Sequence, residues 1–197
     1  MKKPTLDELG LKFNTDKSSA LHGYLEHYEK LFPEPEKIKK VVELGLQRRS
    51  GHWKNSPLPS VNMWLEFFPN ATVYGFDKQY LKGLGGNRFH FYRGEQGRCK
   101  HHVEFGEICG WDLDFVISDC SHRPTDDLLS LLFFWPRIKT GGIYIVEDVQ
   151  ALVQNEYPEY MRTENYFPQY VDKLDAEVKW IDSKSSGPKS SLILIKK

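Results

Sequence analysis

The chain has 197 residues, 40% of them hydrophobic and 27% charged, with 27 Lys plus Arg balanced by 27 Asp plus Glu. That is enough chain for one domain with a full core. A net charge of zero argues against nucleic acid as the main partner, because phosphate binding shows as a basic excess. Three cysteines, Cys99, Cys109 and Cys120, with no CxxC spacing, read as reduced thiols in a cytoplasmic protein. No stretch approaches the ~20 apolar residues of a membrane span, and MKKPTLDELG lacks a signal-peptide core.

Residues 1–32 are helical in pattern. Leu6, Leu9 and Leu11 begin it, and Leu21, Tyr24, Leu25, Tyr28, Leu31 and Phe32 continue at i, i+3, i+4 spacing. Between the two sets lies a polar break, residues 14–19, rich in N-cap residues. Pro33 and Pro35 end the segment. Strand and helix then alternate. Residues 40–45 (KVVELG) read as a first strand, 47–59 as a polar basic loop with Gln47, Arg48 and Arg49, and 61–68 as a buried helix. A second strand follows at 71–76, a short helix or turn at 80–86, a third strand at 88–92 and a helix at 100–109. The fourth strand is 113–118, the next helix 125–135 and the fifth strand 142–146. Residues 157–174 are aromatic-rich and loosely helical, interrupted by Pro158 and Pro168. Two last strands, 176–181 and 190–195, joined by a Ser/Gly/Pro turn at 183–189, form a hairpin, so the last strand is antiparallel to its neighbour.

This order predicts a single open α/β sheet. Right-handed crossovers put every strand's carboxyl end on one edge. Glu43 and Gly45, Asp77, Glu95 and Gln96, Asp119 and His122, and Glu147 and Asp148 are therefore expected together, where open α/β sheets bind ligands. The G-x-G-x-x-G fingerprint of dinucleotide sites is missing after the first strand, and no Cys/His spacing suits zinc. Asp77 is placed to accept both hydroxyls of a ribose, or else to cap the following turn. Asp119, Glu147 and Asp148 offer hard oxygen ligands for Mg²⁺ or Mn²⁺, and His122, three residues past Asp119, is placed to take a proton from a metal-bound hydroxyl. The plainer reading of these four is surface carboxylates and a capping pair. His101 and His102 read as a solvated helix face.

Several of these stretches occur, in order, in a known family. Asn14-Thr15-Asp16-Lys17 with His22-Gly23-Tyr24 resembles the G-T-D-K…H-G-Y segment of S-adenosylmethionine- and Mg²⁺-dependent sugar O-methyltransferases of the macrocin and mycinamicin type. Glu43-Leu44-Gly45, Phe68 to Asp77, Gly94-Glu95-Gln96, Asp119-Cys120-Ser121-His122 and Gly141 to Asp148 are similar to its further motifs. The likeness covers roughly residues 10–150. Cys120 stands where the family has glycine, and the loop after Gly45 is long and basic.

The resemblance implies a Rossmann-like methyltransferase fold with a mostly parallel seven-stranded sheet and an antiparallel C-terminal strand. Residues 1–197 would be one domain, with 1–35 a helical lid. It implies S-adenosyl-L-methionine held by Glu43, Gly45 and Asp77, with Glu95 and Gln96 near the adenine and Asp119 beside the cofactor. Thr15, Lys17 and His22, with Asp16, would close over cofactor or acceptor. Asp119, Glu147 and Asp148 would bind Mg²⁺ (or Mn²⁺), and His122 would be the base. The expected activity is methylation of a sugar hydroxyl on a glycan or glycosylated natural product. Tyr157, Tyr160, Tyr166, Phe167 and Tyr170 would wall the acceptor site, or else pack in the core or an oligomer contact. The alternatives are methylation of a non-sugar hydroxyl such as a catechol, or a non-catalytic cofactor-binding scaffold. A homo-oligomer, or a module of a larger glycan-modifying protein, is compatible with either.

Overall fold

The computed structural model describes residues 3–46, 58–79, 86–149, 151–182 and 191–197. Most of the basic loop with Gln47, Arg48 and Arg49, His52, the turn expected over 80–86 except Gly86, and the 183–189 turn lie outside the described residues.

Seven strands form one sheet: β1 (Lys40–Leu44), β2 (Thr72–Asp77), β3 (Phe89–Arg93), β4 (Leu113–Ser118), β5 (Ile138–Val146), β6 (Glu177–Asp182) and β7 (Ser191–Lys196), in the order β3-β2-β1-β4-β5-β7-β6. β1 to β5 are parallel neighbours. β7 lies antiparallel between β5 and β6, so the hairpin closes onto β5 through its second strand. The mostly parallel sheet read from the sequence is thus observed. β5 is longer than expected: it starts at Ile138 and passes through Gly141 and Gly142, with an irregular register against β4. Gly141 has φ 79°, which lets the strand bend there.

α1 (Leu6–Phe13) opens with a capping box between Thr5 and Glu8 and ends at Asn14 in the left-handed conformation. The polar break then separates it from α2 (Leu25–Glu29). α3 (Pro59–Phe67) and α5 (Pro124–Phe134) both start on proline, whose fixed φ suits the first turn, and α4 is Cys99–Cys109. The loosely helical stretch resolves into 3₁₀ turns and two single-turn helices, α6 (Thr163–Tyr166) and α7 (Pro168–Val171).

Alternation along the strands divides the core in two. Val41, Phe115, Ile117, Ile143 and Ile145 pack with Leu6, Leu9, Tyr24, Tyr28, Trp64 and Phe68 from α1, α2, α3 and their flanks. Val42, Leu44, Val116, Tyr144 and Val146 pack with Phe105, Leu131, Phe134 and Phe167 on the other face. The N-terminal segment is therefore part of a core.

Candidate functional site

The same alternation decides where the acidic strand ends point. Glu43 shares parity with Val41, Asp119 with Phe115 and Ile117, and Glu147 with Ile143 and Ile145, so all three belong to the face covered by the N-terminal helices. Ser118 pairs with Val146 across β4 and β5, which sets Asp119 level with Glu147. The residue that meets them is Lys17, from the polar break. Its ammonium is buried and donates to Asp119 Oδ2 and to Glu147 Oε2 at 2.6 Å, and lies 3.7 Å from Glu43 Oε1. Burial opposes the charge on Lys17, but Asp119, Glu147 and Glu43 together hold its pKa well above the usual lysine value.

Two further side chains of this segment reach the same edge. The Tyr28 hydroxyl donates to Glu147 Oε1 at 2.5 Å, and the Tyr24 hydroxyl to Asp148 Oδ1 at 2.6 Å. The fully buried Glu43 accepts from Ser60 Oγ at 2.9 Å and Trp64 Nε1 at 3.2 Å, and burial lifts its pKa to about 7. Glu147 is thus engaged by Lys17 and Tyr28 instead of standing open beside Asp148. Asp148 leaves the strand with φ 52°, which turns its carboxylate to the Tyr24 side, and His122 is left-handed as well, with φ 54°.

Those two turns bring Asp119, His122 and Asp148 together, each with a ligand atom within 4.8 Å of the others. His122 Nε2 is 3.7 Å from Asp119 Oδ1, the oxygen that Lys17 leaves free, and His122 Nδ1 is buried with no hydrogen-bond partner among the described residues. Two carboxylates and an imidazole are a donor set for a divalent cation. The gathered set differs from the sequence expectation by having His122 in place of Glu147.

Gly45 has φ 88°, and a Cβ there would stand 1.9 Å from the Asp119 carbonyl oxygen and 2.8 Å from Cys120 Cα. Glycine is needed here so that β1 and the β4 end can approach one another, a role inside the protein that the expected approach of a ligand did not include. Cys120 packs toward the second core cluster, and burial, with Asp77 nearby, holds its thiol far above the usual range. Asp77 Oδ2 accepts from the Leu46 amide at 2.9 Å and Oδ1 from the Gln79 amide at 2.7 Å, the turn-capping arrangement.

The expected adenine pair divides. Glu95 is exposed and paired with Arg98 at 2.6 Å. Gln96 is buried; its Nε2 donates to Ser118 Oγ, Ser130 Oγ and Asp127 Oδ1 at 2.8, 3.0 and 3.3 Å, and its Oε1 accepts from the Ser121 amide at 2.9 Å. It fastens the loop after β3 to the loop that carries His122. His102 is also buried, 2.9 Å from Ser130 Oγ, which corrects the solvated-face reading; only His101 faces outward there, its Nδ1 accepting from the Glu95 amide. Thr15 is buried beside Lys17, and His22 stacks on Tyr24 with ring centroids 5.3 Å apart. Of the aromatic stretch, Phe167 is core, Tyr166 and Tyr170 pack edge to face, and Tyr160 is 70% exposed.

A seven-stranded sheet in this order, with one reversed strand and acidic residues at its carboxyl edge, is the Rossmann-like methyltransferase fold. The chain superposes on the MycE methyltransferase of the mycinamycin pathway, solved with Mg, SAH and mycinamycin VI, with TM-score 0.79 at 22% identity, covering 100% of this chain and 55% of that one. An O-methyltransferase from Bacillus cereus solved with SAH gives 0.61 at 11% identity, covering 100% and 92%.

In sequence, the chain is similar to sugar O-methyltransferases. It is 28% identical over 150 residues to mycinamicin VI 2''-O-methyltransferase of Micromonospora griseorubida, covering 75% of this chain and 37% of that protein. Demethylmacrocin O-methyltransferase of Streptomyces fradiae is 29% identical over 149 residues, with the same coverages. A tetracenomycin rhamnosyl 2'-O-methyltransferase of Streptomyces olivaceus is 28% identical over 179 residues, covering 87% and 46%. The chain spans less than half the length of these relatives. No protein-family model matches it.

Proposed function

We propose that the chain is the core of an S-adenosyl-L-methionine-dependent O-methyltransferase that modifies a sugar hydroxyl of a glycan or glycosylated natural product, using Mg²⁺ (or Mn²⁺) and His122 as base. The observation that carries this reading is the convergence of Asp119, His122 and Asp148 at the carboxyl edge of a methyltransferase sheet, with His122 Nδ1 buried and unpartnered. The similarity to sugar O-methyltransferases supports the acceptor class.

When bound, the cofactor supplies an electrophilic methyl on sulfur, and the cation supplies positive charge that acidifies a hydroxyl. Asp119 and Asp148 would hold the cation, while Lys17 neutralises Asp119 Oδ2 and Glu147. His122 takes the acceptor proton. Asp77, at the carboxyl end of β2, would hold the ribose. Gln96 and Glu95 would lie near the adenine, Gln96 by fixing the loops there from within. Glu43 and Gly45 would lie near the methionine end. Thr15, Asp16, Lys17 and His22 belong to a fixed cover made by residues 3–35, within one domain spanning 1–197. Tyr157, Tyr160, Tyr166 and Tyr170 would border the acceptor, Phe167 being core.

We place the protein in the cytoplasm, as a homo-oligomer or a module of a longer chain, without nucleic acid as partner. Among the described residues no helix is long and apolar enough to cross a membrane. The scaffold reading has one observation in its favour: Lys17 already supplies a cation to Asp119 and Glu147.

The test is transfer of labelled methyl from S-adenosylmethionine to a panel of glycosides and catechols, with and without EDTA, beside calorimetry of cofactor binding. Expected are cofactor binding, preference for glycosides, loss with EDTA, recovery with Mn²⁺, and loss of about 10²-fold or more in His122→Ala. Activity that survives both EDTA and His122→Ala removes the metal-and-base mechanism. Failure to bind the cofactor favours the scaffold.

A further inference from the structure

The left-handed backbone of His122 is held by a residue that carries no sequence motif. The grip comes from Gln154, 32 residues further on and only 3% exposed, in the 3₁₀ turn Leu152–Glu156. Its Nε2 donates to the His122 carbonyl at 2.5 Å and to Thr163 Oγ1 at 2.9 Å, and its Oε1 accepts from the Thr163 amide at 2.9 Å. The amide can be oriented only one way, because a carbonyl must face N–H and an N–H must face the His122 carbonyl. Thr163 is fully buried at the start of α6. Every polar atom of the Gln154 side chain is thus used, away from water, to tie two segments together.

A left-handed non-glycine residue is disfavoured and persists only where its surroundings hold it. His122 is such a residue, and its carbonyl would otherwise need a solvent or loop partner. We propose that Gln154 is a positioning residue for His122: it holds the left-handed turn that aims the imidazole at Asp119 and Asp148, and couples that turn to the segment bearing Tyr160, Tyr166 and Tyr170. The proposal rests on the reading of His122 as base. The polar atoms of Gln154 meet His122 and Thr163, so it acts through His122.

The test uses this chain with ¹³C/¹⁵N-labelled histidine and glutamine. In the wild type, a coupling across the hydrogen bond from Gln154 ¹⁵Nε2 to the His122 carbonyl carbon is expected; it needs no variant, and its absence would overturn the contact. In Gln154→Met, the His122 ring resonance (assigned by its loss in His122→Ala) shifts or broadens while that of His90 stays. In the same variant kcat falls about tenfold, part of the 10²–10⁴ that a placed base contributes, and KM for S-adenosylmethionine stays within about twofold. An unmoved His122 resonance with unchanged kcat overturns the positioning role. If His122→Ala keeps full activity, the base reading has failed instead, and the resonance shift still tells whether Gln154 sets the turn.

Discussion

Replacing Asp127 by Asn removes a charge from a site that shuns it. Asp127 sits in the first turn of α5, 1% exposed; Oδ1 accepts from Gln96 and Ser118, and Oδ2 has no partner among the described residues. Burial raises its pKa to about 7, with His122, Ser118 and Gln96 only partly opposing. The unfolded carboxyl titrates near 3.9. Between these values the folded state binds the extra proton, so stability contributed by the protonated form is present at low pH and declines as pH rises toward 7. From pH 5 to about 7 this spans roughly two pH units at about 1.4 kcal/mol each, hence about 3 kcal/mol. Asn keeps the shape and does not titrate. In urea unfolding, the stability of Asp127→Asn minus that of the wild type should grow by about 3 kcal/mol between pH 5 and pH 8. At a slope near 2 kcal/mol/M that is a change of roughly 1.5 M in midpoint difference. A difference that stays constant within about 0.3 kcal/mol over that range would refute the buried-acid argument.

Lys17→Met leaves Asp119, Glu147 and Glu43 without their cation and should cost about 3–5 kcal/mol in urea unfolding at pH 8, the penalty for breaking a buried ion pair; a loss below about 1 kcal/mol would contradict it. Tyr28→Phe deletes one charge-assisted bond to Glu147 and should cost about 1.5–3 kcal/mol, read as a melting point lower by several degrees. Gly45→Ala must displace backbone and adopt a left-handed conformation, so a loss of at least about 2 kcal/mol and of cofactor binding is expected by calorimetry. Asp148→Asn should weaken Mn²⁺ binding, followed by electron paramagnetic resonance, at least tenfold; unchanged affinity would remove Asp148 from the cation site.

The strands were legible because buried parallel strands are continuous apolar runs, and KVVEL and LDFVIS are such runs. The meeting of Glu43, Asp119 and Glu147 follows from connection handedness, and even their shared face follows from odd-numbered parity with Val41, Phe115 and Ile145. What parity could not give was Asp148, because a left-handed residue breaks the alternation on which the count depends. The family resemblance points Lys17 toward cofactor or acceptor, and nothing local ties it to the carboxylates, because a lysine between Asp and Ser in a polar break has no apolar pattern to mark it as buried. The available signal was charge accounting: three acids converging on one buried edge require a cation, and this break supplies one. Tyr24 and Tyr28 were counted as apolar periodicity, although their hydroxyls reach the site. Gln154 carried no local signal, since its partners are 32 residues back and 9 ahead.

Lys17 lies 102 residues from Asp119 and 130 from Glu147 along the chain. Contacts of that sequence separation close late, because loop entropy must be overcome before they stabilise anything. Until the N-terminal segment docks, β1, β4 and β5 must come together with their acidic ends unneutralised. The sheet therefore assembles against its own repulsion at neutral pH, and docking of residues 14–28 is the step that relieves it. Refolding should accordingly be faster in mild acid, where burial favours the protonated forms of Glu43 and Glu147, than at pH 8.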